Sequence, residues 1–134
     1  MKGTSMKRLN VDFFDEFKEL DNLCIDLLGE EDGKRGVSLY IEKMSNNARR
    51  GEAKVEGWDS DYKNLKDVRH ARNRLAHSQG SFSDKMCTKD QLAFVRSFKA
   101  RIQNGTDPLS LLHEGPEKAK PRRRFSKFLI FLLI

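Results

Sequence analysis

The chain has 134 residues, 37% hydrophobic and 34% charged, with a formal charge of +6 at pH 7. That length suits one domain with a single core and is too short for two ordinary ones. The charge is localised: residues 1–10 carry +3 and residues 114–127 carry +4, leaving the body at −1, so the high pI does not signify a broad phosphate-binding face.

Two cysteines, Cys24 and Cys87, give neither metal-ligand spacing nor a disulfide framework, and Cys24 reads as a small core residue. The first ten residues lack the continuous apolar stretch of a secretory signal, so the expected location is a reducing cytoplasm.

Residues 11–28 place Phe13, Phe14, Phe17, Leu20, Cys24, Leu27 and Leu28 at helical spacing, which predicts a first amphipathic helix. Three glycines in residues 29–36 stop it. A second helix is predicted over 37–50, with Val37, Tyr40, Ile41, Met44 and Ala48 inward and Gly51 at its C-terminal position. Residues 52–57 are a short polar connection, after which Asp59 or Ser60 can cap a third helix running to about His77 or Gln79.

Past a polar loop at 78–84, Thr88-Lys89-Asp90-Gln91 has the form of a capping box. It predicts a fourth helix over 89–103 that buries Leu92, Val95, Phe98 and Ile102 and ends at Gly105. Pro108 then suits the first position of one more short turn. No run alternates like a strand and no segment repeats, so the expected fold is an all-α antiparallel bundle of four to five helices over residues 11–112. Residues 1–10 are expected as a flexible basic N-terminus and 113–127 as a basic linker.

The last segment, 128–134, is an unbroken apolar run of seven residues behind Arg122, Arg123 and Arg124. A spanning helix needs about 20 such residues. The run therefore has three readings: the first turns of a truncated membrane helix, an interfacial anchor to anionic lipid, or a terminus with no membrane role.

The third helix carries Arg72-Asn73-Arg74-Leu75-Ala76-His77. Leu65, Val68, Leu75 and Ala76 form its apolar stripe, and at about 100° per residue Arg72 projects within roughly 20° of Leu65, where the core should receive a hydrocarbon. A guanidinium stays charged, and burying it unpaired costs several kcal/mol, so an anionic ligand or a second subunit is expected to meet it. Asn73 and His77 share a side, whereas Arg72 and His77 are offset by roughly 140°. A two-fold interface would bring two arginines and two histidines around one cleft.

These residue types suit phosphodiester cleavage. An imidazole titrating near neutrality can move a proton on or off a reacting oxygen, and a fixed guanidinium can hold charge that builds on phosphorus. With RNA the attacking group can be the substrate's own 2′-hydroxyl, so neither a metal nor another cofactor is required.

The hexapeptide resembles the signature of the HEPN superfamily (higher eukaryotes and prokaryotes nucleotide-binding domain): an arginine, a polar residue that is often asparagine, three more residues, and a histidine. The likeness is close over six residues and looser over the helical order of 11–112, with the motif on the third long helix. It implies an all-helical bundle that commonly dimerises, and metal-independent endoribonuclease activity in defence, toxin–antitoxin or RNA-processing settings. In that reading RNA is the substrate, an antitoxin is a possible partner, Arg72 stabilises the transition state, His77 is the general acid or base, and Asn73 orients the phosphate or the imidazole.

Arg69, His70 and Arg74 are the candidate phosphate contacts beside them. The alternative implied by other superfamily members is a non-catalytic nucleotide- or protein-binding adaptor, brought to a membrane surface by residues 121–134. Trp58 reads as a staple at the start of the third helix, Tyr40 and Phe13, Phe14, Phe17 and Phe98 as core, and His113 as a helix-end residue without a role.

Overall fold

Phenylalanines and leucines three and four residues apart give the first segment one apolar face, and that face organises the molecule. The computed structural model describes residues 2–77 and 86–114. Every regular element among them is a helix: α1 (Lys2–Leu28), α2 (Gly36–Asn46), α3 (Ala48–Lys54), α4 (Trp58–Ala76), α5 (Lys89–Asn104) and α6 (Pro108–Glu114). The fold is an all-α bundle. α1 packs most extensively on α5 and α2 and also meets α4, while the short α3 and α6 pack on each other.

The core is built from Phe13, Phe17, Leu20 and Cys24 of α1, Val37, Tyr40 and Met44 of α2, Leu65, Val68 and Leu75 of α4, and Val95 and Phe98 of α5, all buried. Each large apolar side chain so buried stabilises the fold by about 1.5–3 kcal/mol before chain entropy is counted. Contacts fix the helix directions. Asp61 near the start of α4 binds Arg101 near the end of α5, an antiparallel pair. Asn10 meets Cys87, and Glu16 meets Arg96 and Lys99, so α1 and α5 run the same way.

Four boundaries differ from the sequence expectation. α1 begins at Lys2, so the basic N-terminal stretch continues the first helix, and fully buried Asn10 accepts the Cys87 thiol hydrogen at 3.3 Å. The second helical stretch breaks at Asn47 into α2 and α3. Gly51 lies inside α3 rather than at a helix end, because the Trp58 indole occupies the space its side chain would need: an added Cβ would stand 2.2 Å from the ring. α4 starts at Trp58, capped by Gly57 at φ +79°, a conformation open to glycine, and not by Asp59 or Ser60.

The remaining boundaries agree. Thr88 and Gln91 form the reciprocal capping box, Gly105 ends α5, and Pro108 opens α6. Trp58 is buried, but it is the first residue of α4 after the Gly57 cap and its ring packs on Gly51 of α3, so it does not act as a staple from outside the helix. The predicted loop at 78–84, helix residues past His77, and the segment 115–134, which holds most of the basic linker and the whole apolar run, lie outside the described residues. No helix among the described residues is long and apolar enough to cross a membrane.

Candidate functional site

α4 leaves Gly57 with Asp59 and Asp61 in its first turn, where carboxylates suit the helix dipole, and ends at Ala76 with His77 as its C-terminal cap residue. Its buried face holds Leu65, Val68, Ala71 and Leu75, and Arg72 lies among them at 9% exposure. The helix therefore carries a guanidinium inward, as the residue spacing requires.

The chain itself supplies much of what meets that charge. The Arg72 guanidinium carbon lies 5.4 Å from the centre of the Phe14 ring on α1, within cation–π range. One terminal nitrogen donates to Asn73 Oδ1 at 3.3 Å. Nε is buried with no hydrogen-bond partner. Burial first, and then the like charge of Arg35, lower the Arg72 pKa from its ordinary value, with the Asp21 carboxylate acting in the opposite sense. The guanidinium stays charged and incompletely matched.

Asp21 has a second task. Its Oδ1 accepts the Val37 N–H at 2.8 Å, so a carboxylate of α1 caps α2, whose own cap residue Arg35 makes no side-chain capping bond. Burial raises the Asp21 pKa from its ordinary value, against the Val37 hydrogen bond and the Arg72 and Arg35 charges. Gly36 allows this approach, since a Cβ there would stand 2.0 Å from the Asp21 carbonyl oxygen.

The other anticipated residues separate into two groups. Arg69 and Asn73 line a groove of about 580 Å³ between α2 and α4, opposite Lys34, Arg35 and Ser38. His70, Arg74 and His77 are exposed and do not line that groove. Among the described residues no hydrogen bond or ion pair joins Arg72 to His77. The pairing that a reaction would need is therefore absent within one chain.

Residues 11–127 match the profile of the Family of unknown function (DUF6548). The chain belongs to that family. The DUF6548 match contains all of α2 to α6 and both Arg72 and His77. No curated protein and no solved structure matches the chain.

Phe14, Asp21 and Arg35 were not anticipated as parts of this region. Phe14 sits at core spacing and gives no sign of also facing a cation. The one available signal is for Arg35 and is compositional: Lys34 and Arg35 stand between Gly33 and Gly36 just before a helix, where the dipole disfavours cations.

Proposed function

We propose that this DUF6548 chain is a metal-independent endoribonuclease of HEPN type, acting as a homodimer. The observation that carries the reading is Arg72: a permanently charged side chain buried on α4, incompletely matched, immediately before exposed Asn73 and five residues before the helix-ending, exposed His77. Two copies meeting about a two-fold axis would bring each arginine to the histidine that its own helix holds away.

In this reading the 2′-oxygen of RNA attacks the adjacent phosphorus and the bond from phosphorus to the 5′-oxygen breaks. One imidazole takes the 2′-hydroxyl proton, and His77 of the partner subunit, protonated, gives a proton to the departing oxygen. The Arg72 guanidinium holds the charge on the equatorial oxygens. Asn73 orients the phosphate, and Arg69, His70 and Arg74 hold the flanking backbone. The products are a 2′,3′-cyclic phosphate and a 5′-hydroxyl. A cytoplasmic toxin restrained by an antitoxin, or a defence nuclease gathered at an anionic membrane surface by residues 121–134, fits this chemistry.

A second reading is favoured by the anchoring of Arg72 within its own chain, over Phe14 and against Asn73. There the protein is a non-catalytic nucleotide- or protein-binding adaptor and Arg72 is part of its framework. Incubating purified protein with RNA in a chelating buffer separates the two. The nuclease reading expects cyclic phosphate ends from the native chain and none from His77→Ala with an unchanged helical melt; continued cutting by that variant eliminates the mechanism.

A further inference from the structure

The groove between α2 and α4 is electrostatically unfinished. Of the cations on it, Lys34 is already neutralised, 2.7 Å from Glu42 and 3.5 Å from Glu31. Arg35 and Arg69 have no ion pair among the described residues. Arg35 occupies the cap position of α2, whose first turn holds no acid, so its charge stands on the positive end of a helix. Behind it lies Arg72, close enough for the two charges to oppose each other. The nearby offset is Asp21, one of whose oxygens is already committed to the Val37 N–H. An anion placed here offsets both of these repulsions and also attracts Arg69.

The walls suit a particular anion. Arg72 donates to the Asn73 Oδ1, which leaves the Asn73 amide nitrogen as a donor on the groove. Ser38 offers a hydroxyl from the opposite side, and the Tyr62 ring gives an apolar wall. The volume of about 580 Å³ lies in the range of small-ligand sites.

We propose that this groove holds the phosphate of a nucleoside phosphate unit, gripped by Arg35 from α2 and Arg69 from α4, with Ser38 and Asn73 as hydrogen-bond donors and the sugar or base against Tyr62. It is a subsite within one chain that adjoins the two-fold reaction centre through Arg69 and Asn73. Its ligand class rests on the RNA reading above, so the test measures binding and not cleavage.

The experiment uses full-length His77→Ala protein and a labelled single-stranded RNA followed by fluorescence anisotropy, with AMP as a competitor. Arg35→Glu and Arg69→Glu, checked by thermal melts, are compared with Lys89→Glu, the same charge change at an exposed position on α5. Arg35→Gln and Arg69→Gln provide milder versions. The expected result is RNA binding weakened by about tenfold or more in the groove variants, with a salt dependence shallower by about one counterion each and little change for Lys89→Glu.

Displacement of RNA by millimolar AMP assigns the site to a single nucleotide unit; persistence of RNA binding assigns it to a backbone phosphate within a chain, and both support the proposal. Equal losses at residues 35, 69 and 89, or groove variants that bind as the parent does, overturn it. A native chain that binds RNA through Arg35 and Arg69 but never cuts would end the nuclease reading and leave this one standing.

Discussion

The two halves of α4 each meet an arginine, and they treat it in opposite ways. Near the helix start, Asp61 takes Arg101 of α5 through two parallel hydrogen bonds, at 2.9 and 2.7 Å, and the guanidinium carbon lies 5.2 Å from the centre of the Phe98 ring. That partnership raises the Arg101 pKa, the Asp61 hydrogen bond being its chief cause. Near the helix end, Arg72 also lies over a phenylalanine, but burial is the chief influence and lowers its pKa, and Nε goes without a partner. A planar cation on an aromatic ring is thus common to both ends. The difference is the paired carboxylate, which closes one arrangement and leaves the other open to a ligand.

That contrast can be broken at either end. The largest effect is expected at the open end: Arg72→Leu should lower RNA cleavage by about a hundredfold or more, as for removal of one transition-state donor. Its melting temperature should hold or rise, because a hydrocarbon replaces a buried charge that is incompletely matched. A drop of many degrees would show that Arg72 is framework. At the closed end, Arg101→Met should leave Asp61 buried and alone and destabilise the fold by about 3 kcal/mol, the low end of the range because Arg101 keeps some water contact. Urea titration measures it, and cleavage per folded molecule should be unchanged; an unaltered midpoint would mean the pair contributes nothing.

Tyr40→Phe comes next. The Tyr40 hydroxyl donates to Asp107 at 2.6 Å and accepts the Leu109 N–H at 2.9 Å, so its removal should cost about 1–3 kcal/mol by leaving buried groups unsatisfied. Denaturant melts that overlay the native curve would refute this.

The smallest expected effect belongs to Asp21→Asn. The folded-state pKa of Asp21 is raised, so the folded chain takes up its proton at a higher pH than the unfolded chain, and the native protein recovers stability as pH falls through that raised value. The variant lacks this recovery. Its melting temperature relative to native should therefore decline as the pH is lowered from neutral through the carboxylate range, and a difference constant with pH would contradict the raised value.

Periodicity was enough to find the helical segments, because apolar residues at 3.6-residue spacing commit a surface helix to a buried face whatever its partner. The Thr88–Gln91 box and Pro108 were legible for a related reason: each satisfies backbone groups locally. The inward position of Arg72 was also legible, since it follows from helix geometry alone. What α1 offers to Arg72 was not. Phe14 as a cation platform and Asp21 as the cap of α2 depend on which helices become neighbours, and sequence spacing within one helix does not encode that. The same holds for Gly51, whose use is to receive Trp58 face-on.

Gly36 governs how closely α2 sits on α1. Its missing side chain lets α2 rest directly on the main chain of α1, while the far flank of α2 forms one bank of the groove facing α4. The seat of α2 is thereby set by a hydrogen atom. A single methyl at that spot would act as a wedge, lifting the whole rod from its bearing and resetting the gap on the opposite flank. The width of the groove between α2 and α4 can thus be altered from a position that does not line it.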